Sequence, residues 1–187
     1  MKKELSHIIQ GCRNSDAKSQ KELYDRYAGL FLSMAVRYTK QYEEAEDVMI
    51  HAFYKIFDKI DSYSGDGSFE GWMKRIVVNE ALMHIRKRTN LNLAVEISDI
   101  DKPETENVVD DLQYEDLLKL LSELPDGYRT IFNLYVIEGY KHREIAELLG
   151  ISINTSKSQL ILAKKRMRTL LSNLELKKKD NTKYIVS

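Results

Sequence analysis

Between Glu147 and Glu175 the chain carries five cations, Lys157, Lys164, Lys165, Arg166 and Arg168, and no acid. The chemistry open to such a run is phosphate contact, because a polyanion approaches it without repulsion and releases counterions as it binds. Asn154, Thr155 and Ser158 stand among these cations and add hydrogen-bonding groups at the spacing of base edges. A second set lies earlier. Tyr63, Lys74, Arg75, Asn79 and the basic run Arg86, Lys87 and Arg88 combine an aromatic ring, a carboxamide and cations just before and along one segment. Those are the groups that hold unstacked bases and the backbone of a single strand. A third set, Glu43, Glu44, Glu46 and Asp47, is compressed into one helical turn without a His or Lys cluster beside it, which is poor geometry for a metal-dependent nuclease. Acids at the start of a helix complement its dipole and need no catalytic role.

The elements that must position these groups are all predicted to be helical. Gly139 to Gly150 reads as a short amphipathic helix closed by a glycine that can take the left-handed conformation. Ser152 is placed to cap the next helix, which runs to about Leu174. On a wheel of that helix Ile153, Leu160, Ala163, Met167, Leu170, Leu171 and Leu174 face inward with Ile145, Ala146 and Leu149 of the first. Asn154, Lys157, Ser158, Ile161, Lys165 and Arg168 gather opposite, within an arc of roughly 100°. This is a helix-turn-helix pattern.

Upstream, punctuation predicts helices over Glu4 to Arg13, from a Ser15 or Asp16 cap to about Tyr38, from Tyr42 to about Ile60, and from Phe69 to Arg88 after a Ser68 cap. Asp61 to Ser68 reads as a loop. Phe69, Trp72, Ile76 and Val77 are expected in the core. Tyr114 to Ser122, a Leu124 to Gly127 turn and Tyr128 to Val136 complete the second half. The fold class expected is all-α, with two helical domains at 1–88 and 114–175, a connector at 89–113 and a polar tail at 176–187.

Composition supports that reading, with two prolines and eight glycines in 187 residues. The net charge of zero conceals an asymmetry: residues 1–88 sum to +2, 89–116 to −8 and 117–187 to +6. An acidic connector joined to a basic half is the pattern of a DNA-binding domain on a charged linker. The connector holds Lys102-Pro103 and little periodicity, so it is expected to be extended or mobile. Cys12 has no internal partner, and His7, His51, His84 and His142 lack metal-ligand spacing. No metal or cofactor is expected. No apolar run reaches the roughly 20 residues of a membrane span, and the first residues do not read as a signal sequence, so a cytoplasmic protein is expected.

The order of these features resembles the extracytoplasmic-function group of sigma factors in the sigma-70 family. The residues that carry the likeness are Glu46-Asp47-Val48 through Phe57, Ser68-Phe69 with Gly71-Trp72 and Arg75-Ile76, Leu124-Pro125, and Glu144 through Ser152. The resemblance implies a non-enzymatic factor, monomeric when free, that binds core RNA polymerase and promoter DNA and is held in check by an anti-sigma factor. It implies polymerase docking through Asp47, His51, Tyr54, Lys55 and Asp58. Tyr63, Lys74, Arg75, Asn79, Arg86, Lys87 and Arg88 would meet the minus-10 element, with one base flipped out of the stack. The helix from Ser152 would enter the major groove at the minus-35 element, with Asn154, Thr155, Lys157, Ser158, Ile161, Lys164, Lys165 and Arg168 as its contacts. The connector would thread the polymerase RNA exit path. Asn154, Gln159 and Leu162 depart from the family's common Gly, Arg or Lys, and Arg, which takes customary phosphate contacts away. The alternative read from the residues is a helix-turn-helix activator or repressor, which binds duplex unaided and usually as a dimer.

Overall fold

The computed structural model describes residues 2–88 and 114–183, with side chains over 4–88 and 114–174. The expected connector and the last four residues of the expected tail lie outside the described residues. Every described regular element is helical, as the sequence predicts: α1 (Lys2–Arg13), α2 (Ala17–Tyr38), α3 (Tyr42–Asp58), α4 (Phe69–Arg88), α5 (Tyr114–Ser122), α6 (Asp126–Phe132), α7 (His142–Leu149) and α8 (Ile153–Lys183). The chain divides into two compact units, Met1–Thr89 and Asn90–Ser187.

In the first unit α2 supplies Leu23, Tyr27, Phe31, Met34, Ala35 and Tyr38 at intervals of three and four, all buried. They meet Ala45, Val48, Met49, Ala52, Phe53 and Ile56 of α3 and Met73, Val77, Val78, Ala81, Leu82 and Ile85 of α4. Tyr24, Phe31, Phe53 and Phe57 form a chain of ring contacts with centroids 4.8–6.0 Å apart. Asp16 caps α2, its carboxylate accepting from the Ser19 amide at 2.8 Å and hydroxyl at 2.6 Å. These bonds favour the ionised form and hold the Asp16 pKa below its ordinary value. Gly11 lets α1 cross this corner, since a β-carbon there would stand 2.0 Å from Ser19 Oγ. Burial beside Asp16 and Glu22 pushes the Cys12 thiol up to about 11, which leaves it protonated and unreactive.

The second unit packs Leu120, Leu121, Leu124, Phe132, Ala163 and Met167 into one core, sealed by Leu117, Tyr128, Val136, Leu170, Leu171 and Leu174. Two details differ from expectation. Helix α6 starts at Asp126, because Pro125 fits the extended position before a helix and Asp126 complements its first turn. Helix α8 continues to Lys183, since no Gly or Pro interrupts the residues read as a tail. Arg129 went unnoticed in the sequence. It is 1% exposed, and its guanidinium donates to Leu124 O at 3.1 Å and Asp126 Oδ1 at 2.8 Å. A buried cation paired in this way ties the loop before α6 to the helix itself.

Candidate nucleic-acid interface

The turn between α7 and α8 is built as its glycine predicts. Gly150 sits at φ 69°, ψ 36°, its amide bonds to Ala146 O, and the Ile151 amide reaches the same carbonyl at 3.0 Å. Ser152 then caps α8, accepting from the Thr155 amide at 2.9 Å. The buried stripe of α8 begins at Ser156 and runs through Gln159, Leu160, Ala163 and Met167. Ile153, expected inside, is 43% exposed, since the capping turn holds the first residues of α8 away from that stripe.

Opposite the stripe, Asn154, Lys157, Ile161, Lys164, Lys165 and Arg168 share an arc of about 100°, each exposed or half-buried. Two residues expected on this face are engaged otherwise. Ser158, read as outward, is 5% exposed and donates to Thr155 O at 3.0 Å, a bond that short hydroxyl side chains make to their own helix. Thr155 Oγ1 lies 2.8 Å from Ser152 Oγ, within the cap. A further contact that the sequence did not disclose joins the two helices. His142 Nδ1 lies 2.9 Å from Ser156 Oγ, and its ring stacks on Tyr135 at 4.4 Å. Burial, then Lys157 and Lys164, lower the His142 pKa, so the ring is neutral at pH 7.

In the first unit the loop before α4 turns on Gly65 and Gly67, at φ 91° and 81°. Tyr63 closes it, donating to Gly67 O at 2.9 Å, while its ring contacts Phe69 at 5.0 Å and Trp72 at 5.7 Å. Arg13 of α1 donates to Tyr63 O at 2.7 Å and fixes the loop from beneath. Trp72 and Ile76, expected in the core, are only half-buried, whereas Phe69 and Val77 are buried. Trp72 instead starts a stripe with Arg75, Asn79, Met83 and Arg86, spaced by three and four along α4. Extending the wheel of Arg75 and Asn79 by one turn in each direction would have found Trp72 and Met83.

Two cations of the expected set lie off this stripe. Lys74 pairs with Glu70 at 2.6 Å, on the side where both influence Tyr27 of α2. Arg88 turns to Glu44 of α3 at 2.7 Å. Lys87 is exposed beside the stripe. The stripe is therefore aromatic and polar, with Arg75 and Arg86 as its cations, which suits stacking and edge recognition more than bulk electrostatic attraction.

On α3, Asp47, His51, Tyr54 and Asp58 are exposed along one line, and Tyr54 is 69% exposed. Ile50, not singled out in the sequence, adds a 56% exposed apolar side chain beside them. Lys55, expected in the same set, is half-buried and paired with Glu80 of α4 at 2.5 Å. Among the described residues no three or more His, Cys, Asp and Glu side chains are arranged to hold a metal ion. No described helix is long and apolar enough to cross a membrane.

Comparison with known proteins matches residues 23–90 to the family model for sigma-70 region 2 and residues 114–167 to that for sigma-70, region 4. The extracytoplasmic-function (ECF) RNA polymerase sigma factor SigE of Mycolicibacterium smegmatis is 29% identical over 157 residues, 81% of this chain and 61% of that one. The chain thus spans less than two thirds of that relative. ECF sigma factor SigW of Bacillus subtilis is 26% identical, with 93% of this chain and 98% of the relative covered. Among solved structures, the sigma factor RpoE of Bartonella quintana, crystallised with the anti-sigma factor NepR, shares the fold at a TM-score of 0.53 and 23% identity, covering 83% of this chain and 98% of that one.

Proposed function

The chain belongs to the sigma-70 family, in the extracytoplasmic-function group of transcription initiation factors, and from that premise we propose how its two units share one promoter. The α4 stripe of Trp72, Arg75, Asn79 and Arg86, with Tyr63 at the loop, captures the melted minus-10 strand. The outward arc of α8 enters the major groove of the minus-35 duplex. Asp47, His51, Tyr54 and Asp58 of α3, with Ile50, dock on core polymerase. Thr155 and Ser158 serve the minus-35 contact through the helix cap and backbone, while Lys74 and Arg88 contribute charge at the edge of the minus-10 face. Residues 1–88 and 114–175 are the two working domains.

The observation that carries this reading is the coexistence, in separate units of one chain, of an aromatic, polar stripe and a cationic helix with no acid before Glu175. Strand capture must offset a few kcal/mol of lost stacking for each extruded base, and rings beside a carboxamide supply the surface for it. Duplex binding draws instead on phosphate neutralisation. In this reading opening uses binding energy alone, and the protein acts as a cytoplasmic non-enzyme. The Bartonella relative was solved with an anti-sigma factor, and a partner of that kind is proposed here as well.

The test is transcription in vitro with purified core polymerase lacking any sigma factor, on a library of randomised upstream sequence. The added chain is expected to select discrete start sites preceded by two separated sequence elements. Initiation no different from core enzyme alone would overturn the reading.

A further inference from the structure

We propose that Glu80 is a positioning residue for strand capture, holding α4 at the roll that aims Asn79 and Met83 outward through its ion pair with Lys55 of α3. The inference rests on the reading of the α4 stripe as the strand-capturing surface. It reassigns Lys55 from docking to the seam between α3 and α4. Of the five α3 residues expected to meet polymerase, four project into solvent. The Lys55 side chain is 33% exposed, and its ammonium lies 2.5 Å from Glu80 Oε1 and 3.7 Å from Met83 Sδ. The Glu80 side chain is 10% exposed. A carboxylate so enclosed requires a cation, and removing either partner leaves an uncompensated charge between two helices.

Glu80 directly precedes the turn that carries Met83 and directly follows Asn79, so a movement that relieves its charge is transmitted to both. Side chains end about 5–6 Å from a helix axis. A roll of about 15° then displaces the Asn79 amide by about 1.5 Å, beyond the roughly 0.5 Å tolerance of a productive site. Among the described residues Glu44 of α3 also reaches across to α4, pairing with Arg88 at 2.7 Å and His84 at 3.6 Å, one to two turns further along the helix. It can hold the helices together without setting the aim of Asn79.

The experiment uses full-length chain assembled with core polymerase, a fluorescent single-stranded oligonucleotide carrying the minus-10 sequence selected by the wild type, and a parallel measure of core affinity. Glu80→Gln and Lys55→Met are each expected to weaken strand capture about tenfold, a typical coupling for contacting charged side chains, with core affinity within about twofold. The exchange Lys55→Glu with Glu80→Lys is expected to recover most of the loss, and Glu44→Gln to keep capture within about twofold. Multiplicative losses in the exchanged pair, an equal loss in Glu44→Gln, or a Lys55→Met defect confined to core affinity would each overturn the assignment. A wild-type holoenzyme that captures the strand no better than core enzyme overturns the stripe reading and the strut with it. Equal capture by wild type and Glu80→Gln overturns the strut alone.

Discussion

The two units treat charge in opposite ways. In the first, Lys55, Lys74 and Arg88 are each matched by a carboxylate within 2.7 Å. In the second, the sequence of α8 offers its cations no acid between Glu147 and Glu175. Matched charges add little long-range attraction and leave shape, rings and a carboxamide to decide what binds. A run of cations without acids beside it in the sequence attracts any polyanion and loses that attraction in salt. On the proposed reading, a single protein recognises melted strand and duplex by separating stacking from counterion release.

Salt should separate the units most. Raising it from about 50 mM to about 200 mM is expected to weaken duplex contact by the four cations of the α8 arc about 10²-fold, but strand capture with two cations by about tenfold or less. Anisotropy titrations of holoenzyme with a minus-35 duplex and a minus-10 oligonucleotide would check this, and equal slopes would erase the distinction. Next in size, Asn79→Ala should slow opening of linear promoter about tenfold while a premelted bubble is affected less. Potassium permanganate footprinting reads the difference, and equal defects would remove Asn79 from base capture.

Stability offers a smaller contrast. Gly11→Ala should destabilise the first unit by about 1–3 kcal/mol, because its methyl meets Ser19 Oγ at 2.0 Å. Gly29→Ala, where a β-carbon meets nothing within 4 Å, should instead stabilise by about 0.5–1 kcal/mol. Urea unfolding of both variants decides it. The smallest effect concerns pH and the second unit. The His142 pKa is lowered from 6.5 by burial and by Lys157 and Lys164. The unfolded chain therefore takes up the proton first, and the stability His142 contributes is complete above pH 6.5 and declines below it. His142→Gln should flatten the fall in urea midpoint between pH 7 and pH 5. An unchanged profile would show that folding leaves the proton affinity of the ring where it stands in the unfolded chain.

Helix identity was legible because the punctuation is local. Asp16, Ser68, Gly150 and Ser152 each act on backbone groups within four residues, and the structure uses all four at helix ends. The outward arc of α8 was legible for the same reason, since Lys157, Ile161, Lys165 and Arg168 obey one period. What the sequence withheld depends on contacts distant along the chain. Lys55 looks like its exposed neighbours until Glu80, 25 residues away, draws it inward. His142 reaches Ser156 across the turn, and Gly11 matters only because α2 passes Ser19 over it. Ser158 misled the wheel because a hydroxyl can fold back on its own helix. Trp72 misled in the other direction, since a large ring satisfies both a core prior and a stacking role.

The most direct test of two grips on one promoter is a combined footprint of the assembled holoenzyme, with nuclease protection reading the duplex and permanganate reading unpaired thymines. The account predicts protection at the minus-35 element and reactive thymines at the minus-10 element in the same complex, both requiring core polymerase. Protection of paired half-sites by the chain alone, without reactive thymines when polymerase is added, would contradict it.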